Sequence, residues 1–254
     1  MTGETPSRST PGATGGWTAT ITVHGIGRPE RQLDDGENEV WISVGEFEEL
    51  LDVVADQPHV SLTFDDGNAS DLEIGLPRLL ERGLRAGFFI PAGLMGQPGR
   101  LDAAGVQALH AAGMLVGSHG WAHRDWRSLD WRSLDWRSLD GHARRGSHAD
   151  PEAEQELVRA RDALAELVGT DSAQVAVPFG SYDRHVLTAL RRSGATRVYT
   201  SDGGWARTGA WLHPRTSIRA GDGGAWAHRL ASTRPGLGPR ARSHLARSVK
   251  RWRG

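Results

Sequence analysis

The chain has no cysteine, which excludes a disulfide framework and any thiolate metal site. A metal, if held, must use nitrogen and oxygen ligands. Long apolar runs are also missing. No stretch approaches the roughly 20 apolar residues of a transmembrane helix. Residues 1–16, rich in Thr, Ser, Pro and Gly, lack the apolar core of about 7–15 residues that a secretory signal needs. That segment reads as a disordered tail, and with Met1 as the natural start the expected compartment is the cytoplasm. Excess charge is absent too: the net value is -1 at neutral pH, which argues against nucleic acid as the main partner. Lysine is nearly absent, Lys250 being the one example among 30 basic residues. We read that bias as genomic composition, without functional meaning.

What is present is an ordinary globular balance. With 254 residues, 38% of them hydrophobic and 24% charged, the chain suffices for one domain with a full core. Residues 17–23 (WTATITV) alternate and are β-branched, a strand pattern. Ser43 with Glu46 three residues on forms a capping-box signature, opening a helix to about Val54 with Phe47, Leu50, Leu51 and Val54 on one face. The strand His59 to Phe64 follows, then a helix from about Ala69 to Arg82 that Pro77 should kink or delay. Ala86 to Ile90 reads as a strand, Asp102 to Ala112 as a helix, and Met114 to Gly117 as a strand. Asp150-Pro151 opens a helix with acids in its first turn, running to about Val168. The strands Gln174 to Val177, Arg197 to Thr200 and Trp211 to Ile218 complete the pattern, with a helix from Asp183 to Ser193 among them. Such alternation predicts parallel strands covered by helices.

Two segments stand apart. Residues 125–140 repeat DWRSL three times. A five-residue step turns a helix by about 140° and alternates faces in a strand, so neither element would bury all three Trp. We read the repeat as a duplicated loop insertion; the functional alternative is an aromatic rim that stacks on a sugar. Residues 221–254 read as a basic C-terminal tail, either solvated or lying on an anionic membrane surface.

The chemistry gathers just after the predicted strands. Asp65 and Asp66 follow the strand His59 to Phe64 directly; two adjacent carboxylates there repel and lose solvation unless a cation or a catalytic role compensates. His119 and His123, four residues apart, follow another strand. Two imidazoles and a carboxylate with open positions suit a divalent metal. His24, Phe179 and Asp202 also follow strands, and in α/β barrels that is the catalytic face.

These residues resemble the polysaccharide deacetylase (NodB homology) domains of carbohydrate esterase family 4. Thr63-Phe64-Asp65-Asp66-Gly67 matches the family's first motif. His119-Gly120-Trp121-Ala122-His123 matches its second, with Gly120 where Ser or Thr is commoner. Ala176-Val177-Pro178-Phe179 matches the third only in part, since Ala176 stands where the family has Arg. The resemblance implies a single-domain, distorted (β/α) barrel over residues 17–220 and metal-dependent hydrolysis of acetyl groups on a glycan or glycan precursor. It implies one divalent ion, zinc first, with cobalt, nickel or manganese as alternatives, on Asp66, His119 and His123. Asp65 would be the base, and Phe179 with Pro178 would face the oxyanion.

A general acid is expected from His213, in Leu212-His213-Pro214, with Asp202 tuning it. Arg215 is the candidate to replace the missing motif Arg, Trp121 and Trp205 are candidates to stack on sugar, and His24 is a candidate to line the pocket. The alternatives are another acyl amide or O-acetyl ester as substrate, or a non-catalytic glycan-binding module. The oligomeric state is not read from the sequence.

Overall fold

The computed structural model describes residues 16–132, 134 and 151–233. The expectations for the N-terminal tail, the third DWRSL copy and the basic end from Arg234 lie outside these residues.

The chain opens with β1 (Trp17–Val23), β2 (Gly25–Ile26), β3 (Trp41–Ile42) and α1 (Val44–Ala55). The capping box is present: Ser43 Oγ accepts from Glu46 N–H, and the Glu46 carboxylate accepts from Ser43 N–H. Next come β4 (Val60–Phe64), α2 (Leu76–Glu81), β5 (Ala86–Ile90), α3 (Ala103–Ala111) and β6 (Leu115–Ser118). A π turn at Asp71–Gly75 leads into α2, and Pro77, which has no N–H to give, falls in its first turn. After α4 (Pro151–Glu154), a second π turn (Gln155–Arg159) joins α5 (Ala160–Val168). The remainder is β7 (Gln174–Ala176), α6 (Arg184–Arg192), β8 (Arg197–Thr200), β9 (Trp205–Arg207), β10 (Leu212–Pro214), β11 (Thr216–Ser217) and α7 (Gly224–Ser232).

Eight strands pair in parallel in the order β10-β8-β7-β6-β5-β4-β1-β11, and β9 adds antiparallel to β1. The two ends of this path are consecutive in the chain. β10 pairs with β8 and β11 with β1, with only Arg215 between them. The sheet therefore curls into a nearly closed barrel whose seam is crossed at Arg215. Sequence periodicity suggested one strand from Trp211 to Ile218; the break at the seam divides it.

Helices cover the outside. Phe47, Leu50, Leu51 and Val54 of α1 are buried with Ile21, Leu62 and Phe64 in the main core. Two further expectations need correction. The domain does not stop at residue 220, because α7 packs on α1 and buries Ala227 and Ala231. Nor is the repeat a loop lying outside the core: Trp126 is fully buried, and Trp131 and Leu134 nearly so, against Leu157, Tyr182 and Val186. Its first two tryptophans are successive core residues because a single 3-10 turn, Trp126–Ser128, and the turn after it replace a continuous helix or strand; Trp131 donates its indole N–H to the carbonyl of Trp126.

Candidate active site

Parallel strands end at one mouth of the barrel, and the site residues follow those ends. Asp65 and Asp66 come after β4, His119 after β6, Phe179 after β7, Ser201 after β8 and His24 after β1. All six line one cavity of about 280 Å³. Asp66, His123 and Phe179 are the only non-glycine residues with positive φ among the described residues, at 72°, 53° and 56°. Such strain persists only where surrounding structure enforces it, and it clusters at functional sites.

Arg215 reaches from the seam across the barrel interior to Asp65. Its Nη1 donates to Asp65 Oδ1 at 2.7 Å and its Nη2 to Oδ2 at 2.6 Å. Nη1 also donates to Thr63 Oγ1 at 3.1 Å. The guanidinium lies against the adjoining rings of Phe89 and Tyr199, 5.5 and 5.6 Å from their centroids. Both partners are almost wholly buried, so forked hydrogen bonds and aromatic faces offset a large desolvation cost. Burial by itself would raise the Asp65 pKa; Arg215, then His119, override it and hold the carboxyl below its ordinary range.

Asp66 faces the two imidazoles. His119 Nε2 lies 3.5 Å and His123 Nε2 3.4 Å from Asp66 Oδ1. His119 Nδ1 is 2.9 Å from the Ala176 carbonyl, which can only accept, so Nδ1 carries the proton and Nε2 presents its lone pair inward. Asp66 Oδ1 is buried without a hydrogen-bond partner. Donor atoms bound at about 2.0–2.1 Å round a tetrahedral ion sit roughly 3.3 Å apart. The three donors here lie within 4.8 Å of one another, and an unpartnered carboxylate oxygen facing two imidazole nitrogens fits a divalent cation.

Electrostatics favour the metal-binding forms of Asp66 and His123. Burial would raise Asp66, yet the imidazoles of His119 and His123 hold it far below the carboxylate range. Burial pulls His119 down, but Asp65 and Asp66 outweigh it and raise it. His123, where burial dominates, falls to about 4.

The structure does not bring every expected residue here. His213 is buried beside Tyr199 and lines a second cavity at the opposite, N-terminal ends of the strands, with Arg85 and Arg197. Burial and Arg197 lower its pKa to about 4. Asp202 accepts from Tyr182 Oη and Thr200 Oγ1 and is absent from the cavity wall. Trp121 packs on Gly93, where an added Cβ would lie 2.2 Å from its indole nitrogen. Trp205 stacks on His59, which immediately precedes β4, at the end of the barrel where the strands begin. Pro178 is buried, whereas Phe179 is 65% exposed on the cavity rim, its ring 4.3 Å from that of His123.

Three residues that sequence reasoning passed over support the site. Arg100 donates to the backbone carbonyl of Asp66, and Asn68 donates to that of His24. Glu156 grips the loop between the two histidines. Arg100 and Asn68 carried no signal; Glu156 read as one of several acids near a helix start.

A parallel barrel with a carboxylate–imidazole cluster at its strand C-termini has its site where barrel enzymes carry theirs. The sequence matches the polysaccharide deacetylase family over residues 52–198, more than half its length, and the chain belongs to that family. It is thus a deacetylase-type hydrolase, of the class that acts on the N-acetyl groups of glycans. Solved structures share the fold. The Streptococcus pyogenes deacetylase PplD, in complex with acetate, is 17% identical with a TM-score of 0.66, covering 87% of this chain and 100% of that one. A polysaccharide deacetylase from Bacillus cereus is 15% identical (TM-score 0.69; 86% and 70% covered). IcaB from Ammonifex degensii is 21% identical (TM-score 0.60; 83% and 96% covered). No curated protein matches the sequence. Among the described residues, no helix is long and apolar enough to cross a membrane.

Proposed function

We propose that this protein removes acetyl groups from N-acetylated sugars of a polysaccharide or its precursor, with Asp65 as general base. Asp66, His119 and His123 would hold a divalent ion, zinc first. The observation that carries this reading is the convergence in one cavity of an unpartnered Asp66 oxygen, two imidazole nitrogens and an Arg-clamped second carboxylate. When bound, the ion supplies a Lewis acid that polarises the acetyl carbonyl and lowers the pKa of water.

Asp65 accepts the proton of the attacking water. Both of its oxygens already accept from Arg215, but a carboxylate has about four lone-pair sites, so acceptor capacity remains. Arg215 keeps the base ionised and fixes its direction. The ring of Phe179 forms a wall beside His123, and its backbone N–H is the protein donor assigned to the developing oxyanion.

The leaving amine needs a proton, and His24 is the group we assign. β1 and β4 are paired so that Val23 lies opposite Phe64, which sets His24 beside Asp65 at one level. Its ring lines the cavity and its Nδ1 is buried without a hydrogen-bond partner. His213 stands at the other end of the barrel, so the acid role moves from it to His24.

Incubation with N-acetylglucosamine oligomers tests the proposal. Acetate and free amine should appear in equal amounts. Acetate from O-acetylated sugars alone, with no amine from the oligomers, would replace the amide reading with the ester one.

A further inference from the structure

The loop that carries the histidines is held from outside the cavity by one carboxylate. Glu156 sits on the π turn Gln155–Arg159 and is only 2% exposed. Its Oε2 accepts from the backbone N–H of Trp121 at 3.0 Å and from the indole N–H of Trp126 at 3.0 Å. Its Oε1 accepts from the backbone N–H of Ala122 at 2.7 Å. Three converging donors offset what a carboxylate loses at that depth. Trp121 and Ala122 lie between His119 and His123, so the grip falls on the backbone linking the two imidazoles. From the other side, Ala92 N–H donates to the Gly120 carbonyl and Gly93 N–H to that of Trp121.

The two histidines are fixed differently. His119 is pinned by its own ring on the Ala176 carbonyl. His123 has a left-handed backbone, φ 53°, and follows directly on the two N–H groups that Glu156 holds. Gly120 belongs to the same device: its φ is 80°, and a Cβ there would lie 2.2 Å from Glu156 Oε2. That accounts for Gly at a position where the matching motif more often has Ser or Thr.

We infer that Glu156 is a positioning residue that sets His123 against Asp66 through the 120–122 backbone, and that Gly120 is the residue its carboxylate requires. The inference rests on the proposed use of Asp66, His119 and His123 as cation ligands. Groups behind metal ligands typically change metal affinity by about 10–100-fold when replaced.

The test measures Zn2+ affinity of the purified full chain by competition with a chromophoric chelator, for wild type, Glu156→Gln and Gly120→Ala. The visible spectrum of each Co2+-loaded protein is recorded alongside. Both variants should bind Zn2+ about 10–100-fold more weakly, with shifted Co2+ bands. Gly120→Ala retains every charge, so it carries the test if Glu156→Gln does not fold. Weakening in Glu156→Gln alone would mean that the carboxylate acts by its charge, and would overturn the inference. So would wild-type affinity and an unchanged Co2+ spectrum in a variant whose thermal stability has fallen. If wild type itself binds no Zn2+, the ligand assignment beneath the inference fails first, a distinguishable result.

Discussion

Arg215 and Asp65, 150 positions apart in the chain, are joined by two parallel hydrogen bonds of 2.7 and 2.6 Å. The Arg lies at the seam between β10 and β11, so the residue that crosses the seam also orients Asp65, the proposed base. Arg215→Met should leave a buried, unpaired carboxylate, at a cost of about 3–5 kcal/mol in stability. Arg215 lowers the Asp65 pKa and burial raises it, so removing the Arg must move that pKa up. The acidic limb of the kcat/KM profile should therefore shift to higher pH. Arg215→Lys, which keeps the charge but loses the fork, should also lower kcat. An acidic limb that stays in place in Arg215→Met would separate Asp65 from the base role.

The assignment of His24 makes a substrate-dependent prediction. An amine leaving group needs a proton, whereas p-nitrophenolate leaves without one. His24→Asn should cut N-deacetylation by roughly 10²–10⁴-fold while leaving p-nitrophenyl acetate hydrolysis within a few-fold of wild type, as an order of magnitude from the same argument. His213→Asn should spare both rates. Equal losses on both substrates in His24→Asn would remove the acid role.

Asp71 is fully buried on the first π turn, and neither of its carboxylate oxygens has a hydrogen-bond partner. Burial, then Asp66 and Asp65, raise its pKa well above the ordinary value. A raised folded pKa means that the unfolded chain releases this proton first, at about pH 4. The protonated acid therefore costs no linkage energy below that pH, and stability is lost as pH rises towards the folded pKa. Asp71→Asn should match wild type in thermal stability near pH 4 and exceed it increasingly towards neutrality. A constant difference across that range would contradict the raised pKa.

The repeat offers a stability series. Trp126, Trp131 and Leu134 are buried, and the units are identical, so deleting one five-residue unit preserves all three contacts. Deleting ten residues, 131–140, removes Trp131 and Leu134 from the core. The first deletion should leave the unfolding midpoint near wild type. The second should lose about 3–5 kcal/mol, the usual cost of truncating a buried Trp. Equal midpoints would return the repeat to the status of a tolerated insertion.

How much of this was legible in sequence differs by residue. Asp65, Asp66, His119 and His123 stood out because each pair is contiguous or closely spaced and follows an apolar strand, and strand C-termini share one mouth in a parallel barrel. Arg215 could be suspected only because Ala176 stands where an Arg was expected; its contact depends on the seam, which no local pattern encodes. His213 misled for a geometric reason. It lies two residues before Arg215 on the same inward face, and two strand residues span roughly 6.6 Å, enough to move a side chain from the catalytic mouth towards the opposite cavity. His24 depends on register between β1 and β4. Trp126, Trp131 and α7 were missed because burial of a single 3-10 turn with the turn after it, and of a short Ala-lined helix, leaves little periodicity to read.

In the proposed reaction, acetyl removal depends on a cation held by Asp66, His119 and His123, with Asp65 as the base. The most direct measurement is acetate release from N-acetylated oligosaccharides before chelation, after chelation and after re-addition of one equivalent of Zn2+. Wild-type activity should disappear with chelator and return with the metal. In Asp65→Asn, which keeps the three ligands, Zn2+ should bind with little or no turnover. Full activity in metal-free protein, or an Asp65→Asn variant as active as wild type, would contradict the proposed reaction.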